Sequence, residues 1–391
     1  MPLHTAMFIL TFVASGDMRN LVKTMADLPA EYQRPTMSVM NDLDFDVVAR
    51  IAIMLLLMLL TEDREQASTT ALHIWYSALV READLDILAN TVRPLIENVV
   101  HKISTKDSDS LQAKTWKINK SSLRLVLTQE QWSKLLRFLD VPANVDGSVA
   151  TEVRASVTMA PLRKDYVQRS LILQQPYHRV CKMRFREDGV LLPFGHSRES
   201  FVIPNPTFFQ AASWPMMDSA ESCGGWSFPD ISATPSGTAS NDIYAKLYIH
   251  VKDHLMRFHE RANSTGLDLE LHNRHAAELP SVLKAGSFAR IETSNIADLY
   301  YMGAKNVVER LIPLLQTPTH NRHAMLMTTF MNAVQEEQSG DERKSTQTEM
   351  PAVLKYLPLS SFPRHDPPNA AFMVMQSGMN IVRDGDHYFD R

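Results

Sequence analysis

A glycine that follows one short apolar run and an acidic residue that ends the next are parts from which a nucleotide-type pocket can be built. Gly16 follows Met7-Phe8-Ile9-Leu10-Thr11-Phe12-Val13, and Asp42 follows the run Thr36 to Met40. If the two runs are neighbouring parallel strands, ligands bind beyond their carboxyl ends, where the strand order reverses. A glycine in the first turn lets the backbone come close to a ligand, and a carboxylate accepts hydrogen bonds from ribose hydroxyls. Asp17 and Asn41 stand beside these two residues. The same positions also have a plainer use. Gly16 would permit a tight turn, and Asp42 or Asp44 would cap the helix that follows.

Other constellations carry less. His250 and His254 are one helical turn apart and could share a metal, but no third ligand is evident, and no Glu follows the first as in metalloproteases. No metal is expected. Asn205-Pro206-Thr207-Phe208 is similar to the Asn-Pro-Pro-Phe/Tyr loop of amino-methyltransferases with one proline missing, and Asn-Pro is also a common turn. Trp214, Trp226 and Phe228 could line a pocket or anchor their loop on the core. Ser, His and Asp all occur, yet no Gly-x-Ser-x-Gly elbow organises a hydrolase.

The elements that must position Gly16 and Asp42 are legible nearby. The apolar run Met7 to Val13 suits a strand buried on both faces. Arg19 to Met25 has helical spacing, Pro35 breaks the chain, and Thr36 to Met40 reads as a second strand. Asp44 then caps a helix containing the unbroken run Ile51 to Leu60. Strand, helix, strand, helix implies a parallel sheet with crossover helices. Further helices are expected over Ala71–Val80, Asp84–Ile103, Glu130–Leu139, Val307–Leu315 and Ala324–Val334. Asn241-Asp242 cap another, through about Ala262. Strands are expected at Val190–Phe194, around Leu267, Leu269 and Leu271, and at Phe288–Thr293.

This divides the chain into an N-terminal cofactor-type half (1–103), a helical insertion (104–186), a second α/β half (187–336) with a Ser/Gly/Pro-rich loop at 213–240, and a polar tail (337–391).

Composition narrows the function classes. The chain has 391 residues, 45% hydrophobic and 21% charged, with a net charge of -4. That balance supplies no basic field for nucleic acid. Two cysteines, Cys181 and Cys223, neither staple a secreted domain nor build a zinc finger, so a cytoplasmic protein with free thiols is expected. Ile51 to Leu60 falls short of the roughly 20 residues of a membrane span. The run Ala6 to Ala14 has no Lys or Arg before it, unlike a signal peptide.

Several stretches together resemble a known family. They are Ser15-Gly16-Asp17-Met18-Arg19-Asn20-Leu21-Val22-Lys23-Thr24, Asn41 to Arg50, His73-Ile74-Trp75-Tyr76-Ser77, Phe185 to Gly189, Pro204 to Phe209 and Glu292-Thr293-Ser294-Asn295-Ile296. They look like a fungal domain family of unknown function, often found beside MYND-type zinc fingers and similar to the N-terminal part of dynein axonemal assembly factor 3. The resemblance covers the chain to about Val334. It implies a Rossmann-like fold of the S-adenosylmethionine-dependent methyltransferase type, with Gly16, Asp17, Asn41 and Asp42 at the cofactor and an unknown small molecule or protein as substrate. It implies equally a non-catalytic assembly or scaffold factor on that fold. A transferase using another nucleotide-type ligand is the third reading. Methyltransferases usually carry more glycine in this first loop than Ala14-Ser15-Gly16, which leaves the chemistry more open than the fold.

Overall fold

The structure, a computed structural model, describes residues 8–158, 171, 174–212, 214–215 and 222–337. The polar tail expected over 337–391 lies, after its first residue, outside them.

The chain opens with a parallel strand–helix–strand unit. Strand β1 (Phe8–Phe12) pairs with β2 (Thr36–Asp42) from Phe8↔Thr36 to Phe12↔Met40. Between them α1 (Arg19–Asp27) turns Leu21, Val22 and Met25 inward at helical spacing. Helix α2 (Phe45–Leu60) is apolar on nearly every face because it is buried on nearly every face. Its first turn is capped by Asp44, whose Oδ1 accepts the Asp46 N–H at 2.8 Å. Helix α3 (Arg64–Tyr76) starts earlier and ends earlier than the expected Ala71–Val80 segment, since Leu79–Val80 form the short strand β3. Helix α4 (Glu82–Ile87) runs through a π turn into α5 (Arg93–Ile103).

The segment 104–186, expected as a helical insertion, is helical only in its later part. Its first part is a hairpin, β4 (Leu111–Ile118) and β5 (Ser121–Thr128), turned at Asn119 with φ +52°. Leu123, Leu125 and Leu127 are buried on one face of β5, the period-two pattern of a strand. Helices α6 (Gln129–Arg137), α7 (Gly147–Thr158) and α8 (Pro176–Asp188) follow. Residues 190–194 are not a strand: Val190 and Leu192 are buried with Phe201 in a small separate cluster. Strand β6 (Ile203–Pro204) pairs antiparallel with β3 and leads into α9 (Pro206–Phe209).

After α10 (Phe228–Ala233) comes the longest helix, α11 (Ile243–Ser264), capped by Asp242 as expected. Strands β7 (Leu267–Asn273) and β8 (Arg290–Glu292) follow, then α12 (Ala304–Leu311). The stretch 324–334, expected as one helix, instead holds β9 (Met325–Met327) and the start of α13 (Ala333–Glu337). Parallel pairing with β8 outweighs helix propensity there.

The central sheet has seven strands in the order β4-β5-β7-β2-β1-β8-β9, parallel except for β4. Alternate residues feed two cores. Leu10, Phe12 and Met40 join α1, α2 and α11 on one face, while Val39, Ile291 and Leu326 join Val307 and Leu311 of α12 on the other.

Candidate functional site

Strand β1 has β2 on one side and β8 on the other, so the strand order reverses at β1. The crevice beyond the carboxyl ends of β1, β2 and β8 is where ligands sit in sheets of this kind. The structure brings Gly16 and Asp42 together there: the Gly16 N–H donates to Asp42 Oδ2 at 2.8 Å. Gly16 has φ +61°, and a Cβ on it would meet no atom within 4 Å. Its need is therefore the left-handed backbone rather than space. Asp42 Oδ1 accepts the Asp44 N–H at 3.0 Å, and Asn273 Nδ2 holds the carbonyl of Asp42 at 2.9 Å. Burial pushes the Asp42 carboxyl above its ordinary value, opposed by the N–H groups of Asp44 and Gly16.

Two further carboxyls border the crevice. Asp17 Oδ1 accepts the Arg19 N–H at 2.8 Å, with the Arg19 guanidinium 3.8 Å from the other oxygen. Burial raises the Asp17 carboxyl, and the charges of Arg19 and Arg50 oppose it. Glu292, the last residue of β8, takes the Ser294 N–H on Oε1 at 2.7 Å and is likewise raised by burial. Its position became a site position only through the pairing of β8 with β1. The sequence signal was an acidic residue ending an apolar run, as at Asp42.

Asn41 is placed differently. Its buried side chain donates to the carbonyls of Val13 (2.9 Å) and Arg274 (3.0 Å) and accepts the Arg274 N–H at 3.2 Å. It ties the end of β1 to the segment after β7, and its polar atoms already bond to backbone.

Beneath Asp17 lies a cation set within the apolar sequence of α2. Arg50 of α2 is buried and donates to Thr207 Oγ1 (2.7 Å), the Thr207 carbonyl (3.1 Å) and the Trp75 carbonyl (2.9 Å), with Phe208 across its guanidinium at 4.6 Å. Burial lowers it to about 10, while the charge of Asp17 pulls the other way. The Asn205–Phe208 segment supplies this support. Asn205 is fully buried: its Nδ2 donates to the carbonyls of Ile74 (3.0 Å) and Ser77 (2.8 Å), and its Oδ1 accepts from the Thr207 N–H (3.0 Å) and hydroxyl (2.9 Å). It therefore stops α3, and its carbonyl oxygen is spent within the same turn.

The loop before α10 covers the first turn. The Arg19 guanidinium packs against the backbone of Gly225, and a Cβ there would oblige the guanidinium to shift. Trp226 donates its indole N–H to Tyr76 Oη at 2.8 Å and packs against Trp75, His250 and His254. Trp214 lies against Phe208 and Phe209. These aromatics anchor their loop on the core. His254 donates from Nδ1 to the His250 carbonyl at 2.8 Å, and burial lowers both imidazoles, His250 to about 4. The pair is thus a neutral aromatic element. Among the described residues no group of three His, Cys, Asp or Glu side chains is placed to hold a metal ion. Among the same residues, no helix is long and apolar enough to cross a membrane.

Residues 4–80 match the model of a domain of unknown function (DUF4470). That span holds β1, the Gly16 turn, β2 with Asp42, Arg50 and α3. No curated protein and no solved structure matches the chain.

Proposed function

We propose that the chain is a Rossmann-like, methyltransferase-like protein that binds S-adenosylmethionine in the crevice beyond β1, β2 and β8. The observation that carries this reading is the Gly16–Asp42 hydrogen bond. It fixes a carboxylate at the end of the second strand, beside a left-handed glycine, where the strand order reverses. Asp42 would accept the ribose hydroxyls. Asp17 and Glu292 would face the methionine part, where a positively charged sulfonium favours neighbouring carboxylates. These residues fit such a ligand in donor type and sign of charge. The ligand would supply an electrophilic methyl group, and the acceptor is a small molecule or protein.

A second reading, a non-catalytic scaffold on the same fold, is favoured by Asn205. The side chain that could orient a target nitrogen is wholly occupied inside the fold.

The test is calorimetric titration with S-adenosylmethionine and its demethylated product. Asp42→Asn keeps a carbonyl oxygen for the Gly16 N–H but loses the charge. A charge-assisted contact is worth about 1.5–3 kcal/mol, so affinity should fall roughly tenfold or more. Absence of binding by the unaltered protein at millimolar ligand removes the proposal. Binding without transfer to any acceptor tried selects the scaffold reading.

A further inference from the structure

Of the three aromatics in the 213–240 loop, Trp214 and Trp226 pack on the core and Phe228 does not. Phe228 opens α10 and stays 49% exposed, although Ile231 of the same helix is fully buried. It stands at a pocket of about 280 Å³. The pocket lies between His178 of α8, Cys223 and Trp226 of the segment before α10, Phe228 itself, and Ile243 and Tyr244 at the start of α11.

Its inner walls are held in place. Trp226 is fixed by its hydrogen bond to Tyr76 Oη and by its contacts with Trp75, His250 and His254. The buried Tyr244 ring is stacked on Phe185, with centroids 5.1 Å apart and planes at 28°. At the outer side His178 meets Phe228 edge-on at 6.0 Å. Aromatic walls favour an aromatic guest, which stacks on them or meets them edge-on, and fixed walls lower the cost of ordering on binding. A cavity of about 150 Å³ is enough for benzene. This one has room for a fused ring pair.

The lining also selects on charge. Among the described residues, no Asp, Glu, Lys or Arg lines the pocket. The Asp242 carboxylate next to Ile243 is turned to the cap of α11 and to the Phe194 N–H at 2.6 Å. Burial and the charge of Lys246 hold the His178 imidazole below its ordinary value, so it is neutral at pH 7 and offers one donor and one acceptor. A charged guest would lose hydration there and gain no counter-charge.

We propose that this pocket is a binding site for an uncharged, planar aromatic small molecule, held between Trp226, Tyr244 and Phe228. The guest covers Phe228, and His178 bonds to a polar atom at its edge. The site does not depend on what the crevice beyond β1, β2 and β8 binds.

The test uses the full chain and two probes with one ring system, indole-3-carboxamide and indole-3-carboxylate, in calorimetric titration. The carboxamide should bind, and the carboxylate should bind about tenfold or more weakly. Phe228→Ala, at a half-exposed position, should weaken the carboxamide about two- to tenfold, the worth of one aromatic contact, whereas Phe228→Tyr keeps the ring and the affinity. Cys223 reports the place of binding. At a carboxamide concentration about ten times its Kd, alkylation of Cys223 by iodoacetamide should slow about tenfold by exclusion. Cys181, buried and pushed up to about 12, stays unreactive throughout. No binding of the carboxamide at millimolar concentration overturns the proposal. So does equal affinity for the carboxylate, full affinity in Phe228→Ala, or alkylation of Cys223 that the probe does not slow.

Discussion

Acidifying the protein from pH 7 to pH 4 should expose the cost of one buried imidazole. His73 of α3 is 1% exposed, its Nδ1 lies 3.1 Å from Ser77 Oγ, and the Phe201 ring meets it edge-on with centroids 4.7 Å apart. Burial lowers His73 to about 4, with the charge of Asp84 opposing. The unfolded chain therefore takes up this proton first, near pH 6.5. The stability that neutral His73 contributes is complete above about pH 6.5 and is lost as the pH falls towards about 4. The loss is on the order of 3 kcal/mol, since each pH unit between the folded and unfolded values counts 1.4 kcal/mol. His73→Phe keeps an aromatic ring in the cavity and removes the titration. Asp17, Asp42 and Glu292, raised in the folded state, act in the opposite sense at lower pH, and equally in both proteins. Urea unfolding followed by tryptophan fluorescence at steps between pH 7 and 4 should show the original protein losing about 3 kcal/mol more than the variant. Parallel curves would refute the reasoning, because they would mean that His73 protonates as readily folded as unfolded.

Three further outcomes follow from the geometry. Asn205→Ala strands the carbonyls of Ile74 and Ser77 and should cost about 2–5 kcal/mol of unfolding free energy; a variant as stable as the parent would show that this amide is not the stop of α3. Asp44→Ala should remove about 0.5–2 kcal/mol through the lost cap, with ligand affinity unaltered in calorimetry; a fall in affinity would move Asp44 into the pocket. Trp226→Ala should release the segment before α10, so that limited proteolysis cuts near residues 222–233 first; an unchanged digestion pattern would show that Trp226 is no anchor.

The first two strands, the Gly16 turn, the Asp44 cap and α11 with its Asp242 cap were legible because each is written in neighbouring residues. The hairpin is less legible: Leu123, Leu125 and Leu127 alternate and Asn119 marks a turn, but the stretch is short and lies between strongly helical segments. Strand β9 is three residues long, too short for any period to register. The site divides the same way. Gly16 and Asp42 follow from one strand–helix–strand unit, but the occupation of Asn41 by Arg274, and the place of Glu292 beside β1, depend on partners more than two hundred residues distant. Arg50 was hidden by its apolar surroundings, which argue for a core helix and say nothing about what one cation inside it must satisfy.

The position of β7 between β2 and β5 has a consequence for synthesis. As the chain emerges, β1, β2 and the β4–β5 hairpin are all made before the strand that must separate β2 from β5. Until Leu267–Asn273 arrive, β2 presents a bare inner edge with Ser38, Met40 and Asp42 awaiting Leu269, Leu271 and Asn273. Strand β3 likewise waits for Ile203 and Pro204. Residues 4–80, the span that carries the family match, are thus a recognisable sequence without being a self-sufficient folding unit: within it β1 lacks β8 and β2 lacks β7. Expressed alone, that fragment should be insoluble or bound to chaperones, because closing the sheet requires contacts of large sequence separation that local helix formation cannot replace.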